Sequence, residues 1–301
     1  MFSRRNRILG LKVLSLISIV RGYNIGIIIL AQYLASIYIL APGLPLSQVV
    51  LDPNLFVIVL CSALVIAGGY IINNFYDSEK DLINKPRKTL LERLVPQRNK
   101  IYAYFILNLF GVLFAGYVSF RAALFFAAYI FGIWFYSHRL KRITFLGNVV
   151  SALLAITPFF AVFIYYKNFE PVIFVHAIFL FLLILSRELV KDLENLAGDL
   201  AQNYPTIAVK YGPEVSKRYV TGLILVALIP ALLLIKYFRI GHMNLYFGAA
   251  SLLMLLFLFL LWKARDRRHY LLLHNILKFL IVSGVFGILL IDIELVLNRI
   301  L

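Results

Sequence analysis

One cysteine and five histidines are too few and too scattered for most redox or zinc chemistry. Cys61 is the only cysteine in 301 residues, and it stands inside an apolar run. It cannot form an intrachain disulfide and has no partners for a metal site, so it reads as a small core residue. His138, His176, His242, His269 and His274 contain no pair at zinc-ligand spacing, which argues against a zinc enzyme. Acidic residues are scarce, with 14 Asp and Glu against 30 Lys and Arg and a formal net charge of +16. No nucleic-acid recognition module accompanies that basic excess, so no nucleic-acid partner is expected. Polar surface is also short, because 62% of the residues are hydrophobic, and a soluble domain of this length is excluded.

What the chain does contain is apolar runs of about 20 residues, each long enough to cross roughly 30 Å of hydrocarbon. The runs predict spans at 13–40, 55–76, 101–119, 122–137, 145–166, 172–190, 219–238, 243–262 and 271–297. Turn signals separate them, among them Ala41-Pro42-Gly43, Glu170-Pro171 and Gly241-His242. The N-terminal Arg4, Arg5, Arg7 and Lys12 followed by an apolar run resemble a secretion signal. The run is longer than the roughly 7–15 residues of such a signal, and further spans follow, so it reads as a retained first helix. The expected fold is therefore all-α, a polytopic membrane bundle of about nine helices forming a single domain over 1–301.

Basic residues set the orientation. With the N-terminus called inside, the inside segments carry 23 Lys and Arg and the outside segments only 5, Arg299 among them. That asymmetry supports nine spans and a cytoplasmic N-terminus, in a cell (inner) membrane. It also explains the net charge as topogenic charge facing anionic headgroups.

Half of the acidic residues fall in two short inside segments. The first runs from Asn73 to Asp81 and the second from Arg187 to Asp199. Asn73, Asp77 and Asp81 are spaced by four and four, and Glu188, Asp192, Asn195 and Asp199 by four, three and four, so each set would lie along one helix face. Stacked carboxylates repel one another, and a divalent cation removes the repulsion. Mg²⁺ takes oxygen ligands and is commonly held by a few carboxylates together with substrate phosphates. Charges that merely anchor helix ends are the plainer alternative, but two stripes of one design on one side favour the cation. Glu79 lies two residues from both Asp77 and Asp81 and should point away from their face. Among nearby basic groups, Lys88 and Lys141 are the candidate diphosphate ligands, with Arg187 and Lys191 interleaved in the second stripe. Arg21 and Asn24 fall within the first span. Asn24 either helps bind a headgroup or makes an interhelical hydrogen bond, and Arg21 either faces a cavity or snorkels.

These residues resemble the UbiA superfamily of intramembrane prenyltransferases. Its first motif, N-D-x-x-D-x-x-x-D followed by I-N-x-P-x-R, is similar to Asn73-Asn74-x-x-Asp77-x-x-x-Asp81 followed by Ile83-Asn84-Lys85-Pro86-Arg87-Lys88. Its second, D-x-x-D-x-x-x-D, is similar to Asp192, Asn195 and Asp199, its Tyr-x-x-x-x-Lys element to Tyr136 and Lys141, and its R-x-x-N to Arg21 and Asn24. The resemblance implies nine helices around a central cavity and a prenyl diphosphate held at the cytoplasmic mouth by Mg²⁺. It implies a metal set of Asn73, Asp77, Asp81, Asp192, Asn195 and Asp199, with Asp77, Asp81, Asp192 and Asp199 catalytic. Asn24, Asn73, Lys88, Tyr136, Lys141 and Lys191 are the implied substrate-binding residues. The departures are Asn74 and Asn195 where the family usually has aspartate, and Lys88 where arginine is usual. If both asparagines face the metal, Asn74→Asp and Asn195→Asp should keep activity.

The run Arg187-Glu188-Leu189-Val190-Lys191-Asp192 looks most like the branch that prenylates geranylgeranylglyceryl phosphate in ether-lipid synthesis. The runner-up acceptor is 4-hydroxybenzoate or another aromatic quinone precursor. Outside this class, a transporter would show helices broken at mid-membrane, for which Gly68-Gly69 is the one candidate. A non-catalytic lipid-binding protein is the other rival.

Overall fold

A backbone in hydrocarbon must satisfy its own hydrogen bonds, and long apolar runs therefore fold as helices. The computed structural model describes residues 4–292, and among these all regular structure is helical. In chain order the helices are α1 (Arg4–Val20), α2 (Gly22–Ala35), α3 (Leu46–Val50), α4 (Pro53–Asn84), α5 (Pro86–Glu92), α6 (Gln97–Val118) and α7 (Phe120–His138). They continue as α8 (Leu146–Tyr166), α9 (Pro171–Glu194), α10 (Leu196–Ala201), α11 (Ile207–Tyr211), α12 (Pro213–Tyr237), α13 (Met243–Lys263) and α14 (Arg267–Gly287). Nine helices among the described residues are long and apolar enough to cross a membrane, as expected, which makes the chain an integral multi-pass membrane protein. Residues 293–297 of the last expected span, and Arg299, lie outside the described residues.

Two expected boundaries are corrected. The run 13–40 is not one helix, because Arg21 takes a left-handed conformation (φ 51°, ψ 54°) that an α-helix cannot continue through. The first crossing is Gly22–Leu40, and α1 precedes it as a separate helix. The second span does not end at 76. Asp52 caps α4 by accepting from the Asn54 amide, Pro53 occupies the first turn, and the helix runs for 32 residues. That is about 48 Å at about 1.5 Å per residue, well beyond the hydrocarbon thickness. The first acidic stripe therefore rides on the same rigid helix as the span.

The helices close into a ring. α2 packs on α4 and α14, α7 on α4 and α8, and α9 on α8 and α14. Behind them, α6 backs α4 and α7, while α12 and α13 back α9 and α14. Outward faces present large apolar side chains such as Phe105, Leu113 and Leu252, as a lipid-facing surface requires.

Small residues and polar bridges bring the inner helices together. α4 passes through Gly68 and Gly69 without a break, so the signature of a midplane site is missing there. A Cβ at Gly68 would sit 3.0 Å from Asn108 Oδ1 on α6, and one at Gly69 would sit 3.0 Å from Ile133 on α7. Their glycines serve close helix approach. In α8, Pro158 has no N–H for the Leu154 carbonyl, and the Tyr129 hydroxyl of α7 donates to that carbonyl at 3.0 Å instead. Gln32 of α2 donates to the Pro158 carbonyl at 2.8 Å and to Ser62 Oγ of α4 at 3.1 Å. Gly69→Leu should lower the thermal midpoint in detergent, on the roughly 1–3 kcal/mol scale of overpacking. Gly222→Ala, whose Cβ meets nothing within 4 Å, should leave the midpoint unchanged or raise it. Equal loss in both variants would refute the close-approach account.

Candidate active site

The ring encloses a cavity of about 370 Å³ lined by α2, α4, α7, α8, α9, α14 and their connections. Its deep wall is apolar, with Ile28, Ile66, Leu154 and Ile184. It adjoins an apolar lobe of about 150 Å³ that shares Ala31, Phe159, Leu180, Ile281 and Val285 with it. The other end is charged and lies where α4 and α9 finish.

From α4, Asn73, Asp77 and Asp81 line this end together, as one-turn spacing dictates. Asp77 is 8% exposed. Its Oδ1 accepts from Lys141 Nζ at 2.6 Å and from the Tyr204 hydroxyl at 3.4 Å. Lys141 reaches it from the short turn Leu140–Arg142 that ends α7, and Tyr136 lines the cavity one turn earlier. From α9, Glu188, Lys191, Asp192 and Asn195 face the same space. Asp192 Oδ2 accepts from Asn148 Nδ2 of α8 at 2.7 Å. Glu188 accepts from Lys191 at 2.5 Å, Arg187 at 3.3 Å and Ser151 at 3.3 Å. Asn24 lines the cavity and donates to the Tyr70 hydroxyl at 3.2 Å, while Arg21 lies over the Tyr70 ring at 4.9 Å. Glu79 points away as expected, 70% exposed and paired with Arg93 at 2.8 Å.

Three residues singled out in the sequence, Asp199, Lys88 and Asn74, sit outside the cavity lining. The second stripe does not follow one helix, because α9 ends at Glu194 and Asn195 leaves helical geometry (φ −99°, ψ 11°). Asp199 therefore sits on α10, is 1% exposed and does not line the cavity. It pairs with Lys80 at 3.4 Å, and Lys80 lines the cavity with its ammonium 4.2 Å from the Tyr204 ring centroid. Burial raises the Asp199 carboxyl above its ordinary pKa, and Lys80 opposes that rise. Lys88, expected among the diphosphate ligands, stands apart from this set. It lies on α5, outside the cavity lining, and pairs with Glu92 at 3.4 Å. Asn74 does not face the metal set either. Its amide donates to Glu92 Oε2 at 2.8 Å and accepts from Lys100 at 2.8 Å, in a buried network that Ser18 of α1 joins through Glu92 at 3.0 Å.

Asn148, Ser151, Lys80 and Tyr204 escaped the sequence reading. Asn148 and Ser151 carried a usable signal, as polar residues inside an apolar span. Lys80 lay in the first stripe but off its i, i+4 register. Tyr204 carried none, because the turn that returns it to the cavity is a tertiary feature.

Residues 29–276 match the model of the UbiA prenyltransferase family. The chain belongs to the UbiA prenyltransferase family. It is similar to the digeranylgeranylglyceryl phosphate synthase of Metallosphaera sedula, 36% identical over 168 residues. That match spans 54% of this chain and 58% of the synthase. A solved structure from work on digeranylgeranylglyceryl phosphate synthase in membranes superposes with a TM-score of 0.70 at 20% identity, covering 92% of this chain and 97% of that one. A UbiA homologue from Archaeoglobus fulgidus, solved bound to GPP and Mg²⁺, superposes with a TM-score of 0.67 at 14% identity, covering 91% and 99%. Both likenesses establish the UbiA fold.

Within the UbiA frame, the oxygen donors at the cavity suit a hard cation. Asn73, Asp77, Asp81, Asp192 and Asn195 all line it, and Asn195 Oδ1 is buried with no hydrogen-bond partner among the described residues. No three acidic or histidine side chains among the described residues already form a metal cluster, because the carboxylates are interleaved with lysines. The set fits Mg²⁺ by donor chemistry, with Asn195 as the unspent ligand. The Asn74 departure has a separate cause: a carboxylate there would meet Glu92. Asn74→Asp should thus destabilise the protein by about 1–3 kcal/mol, the scale of removing a buried donor from a charged acceptor. Asn74→Asp combined with Glu92→Gln should recover most of that loss. Thermal midpoints of the three proteins check it, and a stable, fully active single variant would refute the assignment.

Proposed function

We propose that this chain is a membrane-embedded, Mg²⁺-dependent prenyltransferase. It moves a prenyl group from a prenyl diphosphate to a membrane-associated acceptor, geranylgeranylglyceryl phosphate. The observation that carries the reading is that Asp77 and Asp192, about 115 residues apart, line one cavity whose deep wall is apolar. The similarity to digeranylgeranylglyceryl phosphate synthases supports the acceptor. The positive-inside bias supports an N-terminus and a cavity mouth on the cytoplasmic face of the cell membrane.

The residues divide the work. Asn73, Asp77, Asp81, Asp192 and Asn195 would hold Mg²⁺, which when bound supplies positive charge to the departing diphosphate. Lys80, Lys141 and Lys191 line the same end and offer ammonium donors to diphosphate oxygens. Asp199 positions Lys80 from behind. Ile28, Ile66, Leu154 and Ile184 give the prenyl chain an apolar bed and keep water from the allylic carbon. As the carbon–oxygen bond to diphosphate breaks, its electron pair leaves with the diphosphate. The acceptor hydroxyl forms the new carbon–oxygen bond, and its proton goes to the released diphosphate.

Purified protein in lipid, given a labelled prenyl diphosphate, should prenylate geranylgeranylglyceryl phosphate and not 4-hydroxybenzoate. Turnover should vanish in EDTA and return with Mg²⁺. Asp77→Ala and Asp192→Ala should each lower it by about 100-fold or more, the scale of losing one electrostatic stabiliser. Glu79→Ala should remain close to wild type, because its partner is the exposed Arg93. Undiminished turnover in chelator sinks the metal assignment, and a dead Glu79→Ala beside an active Asp77→Ala sinks the helix register.

A further inference from the structure

Cations outnumber acids along the cavity, with seven Lys and Arg side chains against four carboxylates. They fall into two groups. Lys80, Lys141 and Lys191 each hold a carboxylate, those of Asp199, Asp77 and Glu188. Arg21, Lys85 and Lys278 line the cavity without an ion pair to any carboxylate among the described residues. Arg187 must share Glu188 with Lys191, and its Nε is buried with no hydrogen-bond partner.

These four come from separate elements and converge. Arg21 occupies the left-handed junction between α1 and α2, a conformation that costs a non-glycine residue roughly 1–2 kcal/mol. Lys85 follows α4 and makes no hydrogen bond through its ammonium among the described residues, with Lys191 and Arg21 as its cationic neighbours. Burial lowers its pKa, and repulsion from Lys191 and Arg21 adds to that against the pull of Glu194 and Asp81. Lys278 of α14 donates to the Tyr23 hydroxyl at 2.8 Å, and Tyr23 lies within the fields of Arg21 and Arg187 as well. Bunching like charges in a partly buried space is unfavourable unless an anion joins them. The carboxylate-bearing side of the cavity already has donors enough for a diphosphate, so these cations remain for a second anion.

Resting on the acceptor reading above, we propose that Arg21, Lys85, Arg187 and Lys278 form a second anion subsite that binds the phosphate monoester of the lipid acceptor. Its chemistry is that of a dianionic phosphate met by two guanidinium forks and two ammonium groups. Such a subsite makes the enzyme select a phosphorylated glyceryl lipid over the same lipid without its phosphate. A free phosphate ion would satisfy the same charges and lacks the prenyl chain that the apolar wall holds.

The test uses the full-length protein in lipid nanodiscs with Lys85→Met, Lys278→Met and Lys278→Arg. Two acceptors are compared, geranylgeranylglyceryl phosphate and geranylgeranylglycerol. Each Met variant should raise KM for the phosphorylated acceptor about tenfold, the scale of one charge-assisted hydrogen bond. KM for the prenyl diphosphate should stay within about twofold of wild type on the same scale, and that unchanged value also reports an intact fold. The dephosphorylated acceptor should be a poor substrate for all proteins alike, and Lys278→Arg should recover the wild-type KM. Equilibrium binding of the phosphorylated acceptor, measured without Mg²⁺ and without prenyl diphosphate, should weaken in step, and inorganic phosphate should compete only weakly. If the loss falls on prenyl diphosphate, or equally on both acceptors, the subsite is overturned while the acceptor reading stands. A wild-type protein that ignores the phosphorylated acceptor overturns both.

Discussion

Carboxylates at the end of a membrane helix need a partner, and the pairing of acid with lysine organises this site. Desolvating an ion without compensation costs several kcal/mol, so buried Asp77 and Asp199 each recruit a cation from another element. Asp77 on α4 takes Lys141 from the end of α7, and Asp199 on α10 takes Lys80 from α4. The pairs thereby cross-link the ends of helices that the apolar core aligns only loosely. Those links set the width of the cavity mouth and aim the ammonium groups of Lys80 and Lys141 into it.

The same rule acts on the far side of α4 with a different outcome. Asn74, Glu92 and Lys100 form a buried chain in which the amide bridges carboxylate and ammonium, and Lys88 pairs with Glu92 within α5. Ser18 ties α1 into that chain, so the helix preceding the first crossing is anchored beside the acidic stripe. An amide at 74 is therefore favoured by hydrogen bonding outside the cavity, since it donates to Glu92 and accepts from Lys100 at once. α4 carries two polar faces, one toward substrate and one toward structure, on consecutive residues Asn73 and Asn74 that point to different sides.

Most of the fold was legible because lipid imposes a strong length rule. Nine apolar runs are expected, and nine helices among the described residues are long and apolar enough to cross a membrane. The first stripe was legible because α4 stays helical from Asn73 through Asp81, so four-residue spacing means one face. The second stripe misled because spacing assumes continuity, and α9 stops at Glu194. No proline or glycine marks the break in Leu193-Glu194-Asn195-Leu196, and its one local signal, Asn195 at the helix end, was read as a ligand position instead. Lys88 misled for a related reason. Motif position placed it with the phosphate ligands, but on α5 its ammonium meets Glu92 four residues on. Arg21 was visible as a costly charge in an apolar run, and only the left-handed turn shows that it stands at the start of the crossing.

The two stripes consequently differ in how their geometry is held. The first is a template: one uninterrupted helix, capped by Asp52 and Pro53 at its far end, carries Asn73, Asp77 and Asp81 at fixed separations. The second takes its geometry from its neighbours. Asp192 is oriented by Asn148 of α8, and Asp199 by Lys80 of α4. Asn84, at the end of α4, accepts from the Gly198 amide through its side chain and from Arg267 of α14 through its carbonyl, which fixes α10 against α4. Gly198 is required there, since an added Cβ would collide with the Asn84 amide. The Ile83-Asn84 step that follows the first stripe in sequence thus acts on the second one in space. That explains, in contacts, how the two acidic segments come to one cavity although about 115 residues separate them.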